Sequence, residues 1–136
     1  MRLARGMLLA VAAAALAGCG TSERAQVQAK VQQFVKAAAA RDYKTICTQV
    51  LAPPLLEHMV ESGITCQQAM QIALASVTSP TLAIGQITVD GSKASAITLS
   101  TAKGQEAALA AIELVKTSQG WRVESLGAPI VPPSKS

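Results

Sequence analysis

Aromatic residues are almost missing from this chain: its 136 residues include one Trp, one Tyr and one Phe. A core built on large rings is excluded, and so is a row of stacking platforms for single-stranded nucleic acid. Histidine is as scarce, and with His58 standing alone no His-based metal cluster can form. Three cysteines occur, none in the Cys-x-x-Cys spacing of redox proteins. There is no glycine-rich phosphate loop and no constellation of serine, histidine and acid. The sequence therefore calls for no metal and no cofactor. Nor does it hold the run of about 20 apolar residues that a membrane-spanning helix needs.

Charge of either sign is also sparse. Twelve Lys and Arg face eight Asp and Glu, a net +4. Arg2 and Arg5 belong to a segment expected to be removed, which leaves +2 and predicts no nucleic-acid partner. Half of the residues are hydrophobic, yet 26 of the 136 are alanine, so the core is lean. The length suits one small domain.

What is present begins at the N-terminus. Met1 to Cys19 opens on Arg2 and Arg5, continues in an apolar run from Met7 to Leu16, and ends in small residues. This is the pattern of a secretion signal, and its run is about half the length of a spanning helix. Leu16-Ala17-Gly18-Cys19 resembles the bacterial lipoprotein lipobox. That resemblance implies cleavage after residue 18 and acylation of Cys19 by two or three chains, enough to hold a protein stably on a membrane. The expected location is the extracytoplasmic face of a cell membrane, reached through the N-terminal lipid anchor alone. Residues 19–22 then form a lipidated end and a short tether.

Once Cys19 is set aside, Cys47 and Cys66 remain as an even pair in an exported, oxidising compartment, and a disulfide between them is the expectation. A loop of about 20 residues closed in this way contributes about 3 kcal/mol in the chain-entropy model, a useful staple for a lean core.

The next stretch has helical spacing. Val27, Val31, Phe34, Val35 and Ala38 mark one apolar stripe from Glu23 to about Ala40, with Thr21 or Ser22 as its cap. Asp42 is placed to cap a short helix that turns Tyr43, Ile46, Cys47 and Val50 inward until Ala52-Pro53-Pro54. Leu55, Leu56, Met59 and Val60 predict an inward face for a helix ending at Gly63, with His58, Glu57 and Glu61 on its solvated side. Thr65-Cys66-Gln67-Gln68 has the form of a capping box, opening a helix with Cys66, Ala69, Met70 and Ala73 on one face.

After Pro80 the period changes to that of strands. Leu82 and Ile84 share one parity, Ile87 and Val89 the other, which predicts a bulge at Gly85. Asp90-Gly91 is a hairpin turn, and Lys93 to Thr101 returns with Ile97 and Leu99 alternating with polar residues. Residues 105–117 combine an alanine-rich helical half with a strand-like half. A strand is preferred because Trp121 to Leu126 needs a hairpin partner. Gly127 to Ser136, with three prolines, reads as a loose tail.

Helices followed by a meander predict an α+β fold, with N-terminal helices packed on a curved, four-stranded, mostly antiparallel sheet. The order resembles the NTF2-like (cystatin-like cone) superfamily, and within it the small exported lipoproteins of unknown function. The likeness is carried by Val31-x-x-Phe34-x-x-Ala37 running into Arg41-Asp42-Tyr43-x-x-x-Cys47, by the Cys66 helix, and by Gly120-Trp121-Arg122-Val123. It covers residues 23–126, leaving 1–18 as signal peptide and 127–136 as tail.

Some members of that superfamily are enzymes pairing an acid with a tyrosine inside the cone, which makes Asp42 and Tyr43 the candidates here, with Met70 and Trp121 as further pocket residues. The plainer reading is a helix cap beside a core tyrosine. Small residues at Ala94, Ala96 and Ala108 leave room for an apolar ligand in the concave sheet. The expectation is a non-enzymatic, lipid-anchored binding or interaction module. Its partner is an envelope protein, a second copy or a small apolar molecule; the alternative is a cone-pocket enzyme or carrier.

Overall fold

Ser22 opens the ordered domain by accepting a hydrogen bond from the Ala25 amide at 3.1 Å, which caps helix α1, Glu23–Ala39. The computed structural model describes residues 22–127 and Ile130. The expected signal peptide, Cys19 and most of the expected tail lie outside the described residues. Asp42 caps the next turn, its carboxylate accepting from the Thr45 amide at 3.0 Å and hydroxyl at 2.7 Å. One turn of α-helix, α2 (Tyr43–Thr45), then widens into a π-turn over Ile46–Val50, closed by the Leu51 amide on the Ile46 carbonyl at 3.0 Å.

The chain straightens before the prolines rather than at them. Leu51 bridges Val123 in parallel, and the Ala52 amide donates to the Val123 carbonyl at 2.8 Å. This sheet pairing, not Pro53, ends the helical turn. Pro53 instead begins α3 (Pro53–Glu61), where a missing amide hydrogen costs nothing. The predicted capping box forms at Thr65 and Gln68 and starts α4 (Cys66–Ala73).

Four strands follow: β1 (Thr81–Asp90), β2 (Lys93–Thr101), β3 (Ala108–Thr117) and β4 (Gly120–Ser125). They form one antiparallel sheet in sequence order. The bulge falls between Ile84 and Ile87, so Leu82, Ile84, Ile87 and Val89 all pair with inward residues of β2 despite their mixed parity. Residues 108–117 are strand, as preferred from the need of β4 for a partner.

α1 lies on the inner sheet face, with Val27 and Val31 fully buried. Beneath it Ala94 and Ala96 are buried beside Ile112, Leu114 and Val123. No buried side-chain nitrogen or oxygen among the described residues lacks a partner; Thr98, the one buried polar residue among them, donates to the Ala110 carbonyl.

Ile97 and Leu99 lie on the outer face, Leu99 being 43% exposed, because Ala94, Ala96 and Thr98 take the inward parity. Two expectations about faces need correction. Val60 is 71% exposed: α3 meets the domain through Leu55, Leu56 and Met59 and buries no residue fully. Ala73 is exposed, and Leu74 packs on the core in its place. His58, Glu57 and Glu61 are solvated as expected.

Cys47 and Cys66 form a disulfide across 19 positions of sequence, with Cα atoms 5.9 Å apart. It ties the π-turn to the start of α4. In the full chain, replacing both cysteines with serine is expected to lower the unfolding free energy by about 3 kcal/mol, read as a shift in urea midpoint at similar slope. An unchanged midpoint would contradict the staple.

Candidate functional site

The sheet is closed at one end and open at the other. At the closed end the β1–β2 and β3–β4 turns sit together, joined by the Lys116 amide donating to the Ser92 carbonyl at 2.8 Å. Trp121 is buried there, and its indole N–H donates to Glu23 Oε2 at 2.6 Å, while Lys116 Nζ reaches Glu23 Oε1 at 2.5 Å. The first turn of α1 is thereby fastened to β3 and β4.

At the open end no comparable side chain among the described residues fills the space. Phe34, Val35 and Ala38 project from the second half of α1 at helical spacing, opposite Leu82 of β1, Ser100 of β2 and Ala108 of β3. Leu82 pairs with Ser100, and Ser100 with Ala108, so the three form one rung across the inner face. Leu74, Val77 and Pro80 close the third side. Between them lies a cavity of about 200 Å³. Among the described residues that line it the one ionisable side chain is Glu106, exposed at the rim beside Gln105.

The wall formed by residues 74–80 follows an irregular path, with Ser79 at φ 49 just before Pro80. Four hydrogen bonds from three residues hold it. Arg41 donates to the carbonyls of Leu74 and Val77, each at 3.1 Å. The Lys103 amide donates to the Thr78 carbonyl at 2.8 Å, and Gln105 Nε2 to the Ser76 carbonyl at 3.1 Å. Arg41 itself sits at φ 54, a left-handed conformation that a side chain with Cβ adopts only at some energetic cost. Sequence reasoning passed over Arg41, since its carbonyl partners lie 33 and 36 residues away and no local motif marks them.

The residues singled out from sequence are not gathered at this cavity. Asp42 is an exposed cap, its carboxyl held below the ordinary value first by the Thr45 hydroxyl and then by the Thr45 amide. Tyr43 is half-buried, its hydroxyl accepting from Arg41 at 3.3 Å. Met70 is core, and Trp121 belongs to the closed end. Ala94 and Ala96 are covered by the helix. Only Ala108, of the small inward residues, lines the open space. Among the described residues no group of three His, Cys, Asp or Glu is placed to hold a metal ion. No helix among them is long and apolar enough to cross a membrane.

Three solved structures share this architecture. A candidate dehydratase of the NTF2-like family from Streptomyces avermitilis is 14% identical, with 74% of this chain and 90% of that one covered and a TM-score of 0.52. An NTF2-like protein of unknown function from Shewanella baltica is 13% identical, with 76% and 92% covered and a TM-score of 0.51. A candidate NTF2-like transpeptidase from Campylobacter jejuni is 16% identical, with 73% and 97% covered and a TM-score of 0.50. The fold is NTF2-like. No family model and no curated protein matches the sequence. At these identities the NTF2-like likeness concerns architecture, and the neighbours' named activities remain theirs.

Glu23 gives a pH signature. Hydrogen bonds from Lys116 and then Trp121 lower its carboxyl below the ordinary 4.5. A carboxyl lowered on folding stabilises the native state above its unfolded value and loses that contribution as pH falls through the folded one. The full chain is therefore expected to exceed Glu23→Gln in stability near neutral pH, with the gap closing as pH drops below 4.5, followed by fluorescence of the single Trp121. A gap independent of pH would contradict the latch. For the cavity wall, Arg41→Ala is expected to speed amide exchange at Lys103, whose carbonyl partner lies in the released loop. Unchanged exchange there would show that Arg41 does not hold the wall.

Proposed function

We propose that this protein is an exported bacterial lipoprotein, anchored through acylated Cys19 on the extracytoplasmic face of a membrane, whose NTF2-like domain is a non-catalytic binding module. The observation that carries the binding role is the open-ended cavity of about 200 Å³ walled by Phe34, Val35, Leu74 and Leu82. It is smaller than the roughly 300 Å³ at which pockets for drug-sized ligands begin, and so suits a short apolar molecule or one or two apolar side chains of a partner.

Two features support a role without chemistry. Among the described residues that line the cavity Glu106 is the sole ionisable side chain, so no second acid or base stands beside it. Asp42 spends both carboxylate oxygens on capping Thr45. The names dehydratase and transpeptidase borne by two structural neighbours are therefore not extended to this chain. The anchoring half of the proposal rests on Leu16-Ala17-Gly18-Cys19 behind an apolar leader. The Cys47–Cys66 disulfide supports export, because such bonds persist in oxidising compartments.

Both halves are testable in the full chain. Cys19→Ala is expected to move the protein from the membrane to the soluble fraction and abolish palmitate labelling; retention on the membrane would refute the anchor. In that soluble protein, Ala108→Trp is expected to weaken an apolar fluorescent probe such as N-phenyl-1-naphthylamine about tenfold, or about 1.4 kcal/mol. Probe binding that ignores this substitution would remove the cavity from the proposal.

A further inference from the structure

The edge of β3 leads to the mouth of the cavity, and the chain that leaves β4 already follows it. β3 has ten residues and β4 six, and the β4 pairing ends where Ser125 meets Glu113. Residues 108–112 thus have no partner in β4. Gly127, at φ 73, lies so close to the Ala111 backbone that a Cβ there would strike the Ala111 carbonyl. Three residues on, the Ile130 amide donates to the Leu109 carbonyl at 2.7 Å. Two positions of the expected tail, Gly127 and Ile130, thus lie against β3, and the rest of it lies outside the described residues. They also fix its direction: as the residue number rises from 127 to 130, the β3 partner falls from 111 to 109.

A chain moving that way arrives next at Ala108, Glu106 and Gln105, all lining the cavity. Six residues follow Ile130, Val131-Pro132-Pro133-Ser134-Lys135-Ser136. Fully extended they span about 20 Å, whereas the three steps from Leu109 to Glu106 cover at most about 10 Å. Pro132 and Pro133 have no amide hydrogen to give the β3 edge, so strand pairing cannot continue past Val131. Prolines keep such a segment extended, and their rings pack well on apolar walls containing an aromatic, here supplied by Phe34. Lys135 is the one charged side chain of the segment, and Glu106 the one charged side chain among the described residues that line the cavity.

We propose that residues 131–136 of this same chain lie across the mouth of the cavity, with Val131 to Pro133 against its apolar wall and Lys135 paired with Glu106. The proposal rests on the reading of the cavity as a binding site. It gives that site an occupant in cis, which any incoming ligand has to displace.

The test uses the full chain carrying Ala108→Cys, with a water-soluble maleimide as the probe. Ending the chain after Ile130 is expected to raise the labelling rate at position 108 about tenfold, the ratio for a segment docked in about nine molecules of ten. Gly127→Val, which sets a side chain against the Ala111 carbonyl, is expected to give the same rise without shortening the chain. In the unaltered chain a carbodiimide is expected to join Lys135 to Glu106, a product identified by mass spectrometry after digestion and absent from Glu106→Gln. Equal labelling of the long and short chains overturns the proposal. So does a Lys135 product found on other carboxylates, or formed only between light and ¹⁵N-labelled copies. The underlying reading fails in a different way. A naphthylamine probe that binds neither length of chain removes the binding site, while one that binds both equally removes only the docked segment.

Discussion

The seating of α1 on a floor of alanines is the contact from which the rest of this domain follows. Ala94 and Ala96 lie at the centre of the inner sheet face with almost no exposed surface, and their short side chains let the helix come close enough for Val27 and Val31 to be sealed completely. A core of this kind closes by proximity rather than by large rings, which is how a chain with one residue each of Trp, Tyr and Phe forms a dry interior. It also fixes where the interior stops. One end receives Trp121; the other has Phe34 on the helix and Ala108 on the sheet, and the volume between them stays open.

The smaller helices are held differently. α3 buries no residue fully and α4 only Met70, so burial alone does not account for their position. They are tied at points: by the Cys47–Cys66 bond, by the Leu51 and Ala52 pairing with Val123, and by Arg41 grasping the carbonyls that follow α4. A domain with little apolar surface to bury gains proportionally more from such ties, since each one restricts the unfolded chain or satisfies backbone groups that burial would strand. The cavity wall is part of this tied periphery and owes its shape to polar contacts, although the surface it presents inward is apolar.

The two ends of the domain are built differently. The described chain begins at Ser22 on the closed end, where Glu23, Lys116 and Trp121 fasten the helix, and the cavity lies toward the far end of α1, a helix about 25 Å long.

Much of this was open to reading in the linear chain, because the signals are local. The helical stripe of α1, the Asp42 cap, the Thr65–Gln68 box, the parity change around Gly85 and the Asp90-Gly91 turn each depend on residues within a few positions of one another. The pairing of Cys47 with Cys66 needed only a compartment and an even number. The site was far less legible. Asp42 and Tyr43 were pocket candidates through the family resemblance, but the plainer reading holds for Asp42, which caps a turn, while Tyr43 supports Arg41. The cavity residues are scattered from Phe34 to Ala108, and nothing in their immediate neighbours distinguishes Ala108 from Ala94.

By itself the sequence determined the order and kind of the elements and the cysteine pair, since propensity, capping and period act over one or two turns of chain and the pair followed from an even number. Which alanine is covered and which is left open, and where Gly127 and Ile130 meet β3, were decided only by the tertiary structure. Those outcomes depend on strand register and on how far α1 extends over the sheet, and both are set by contacts between residues distant in the chain.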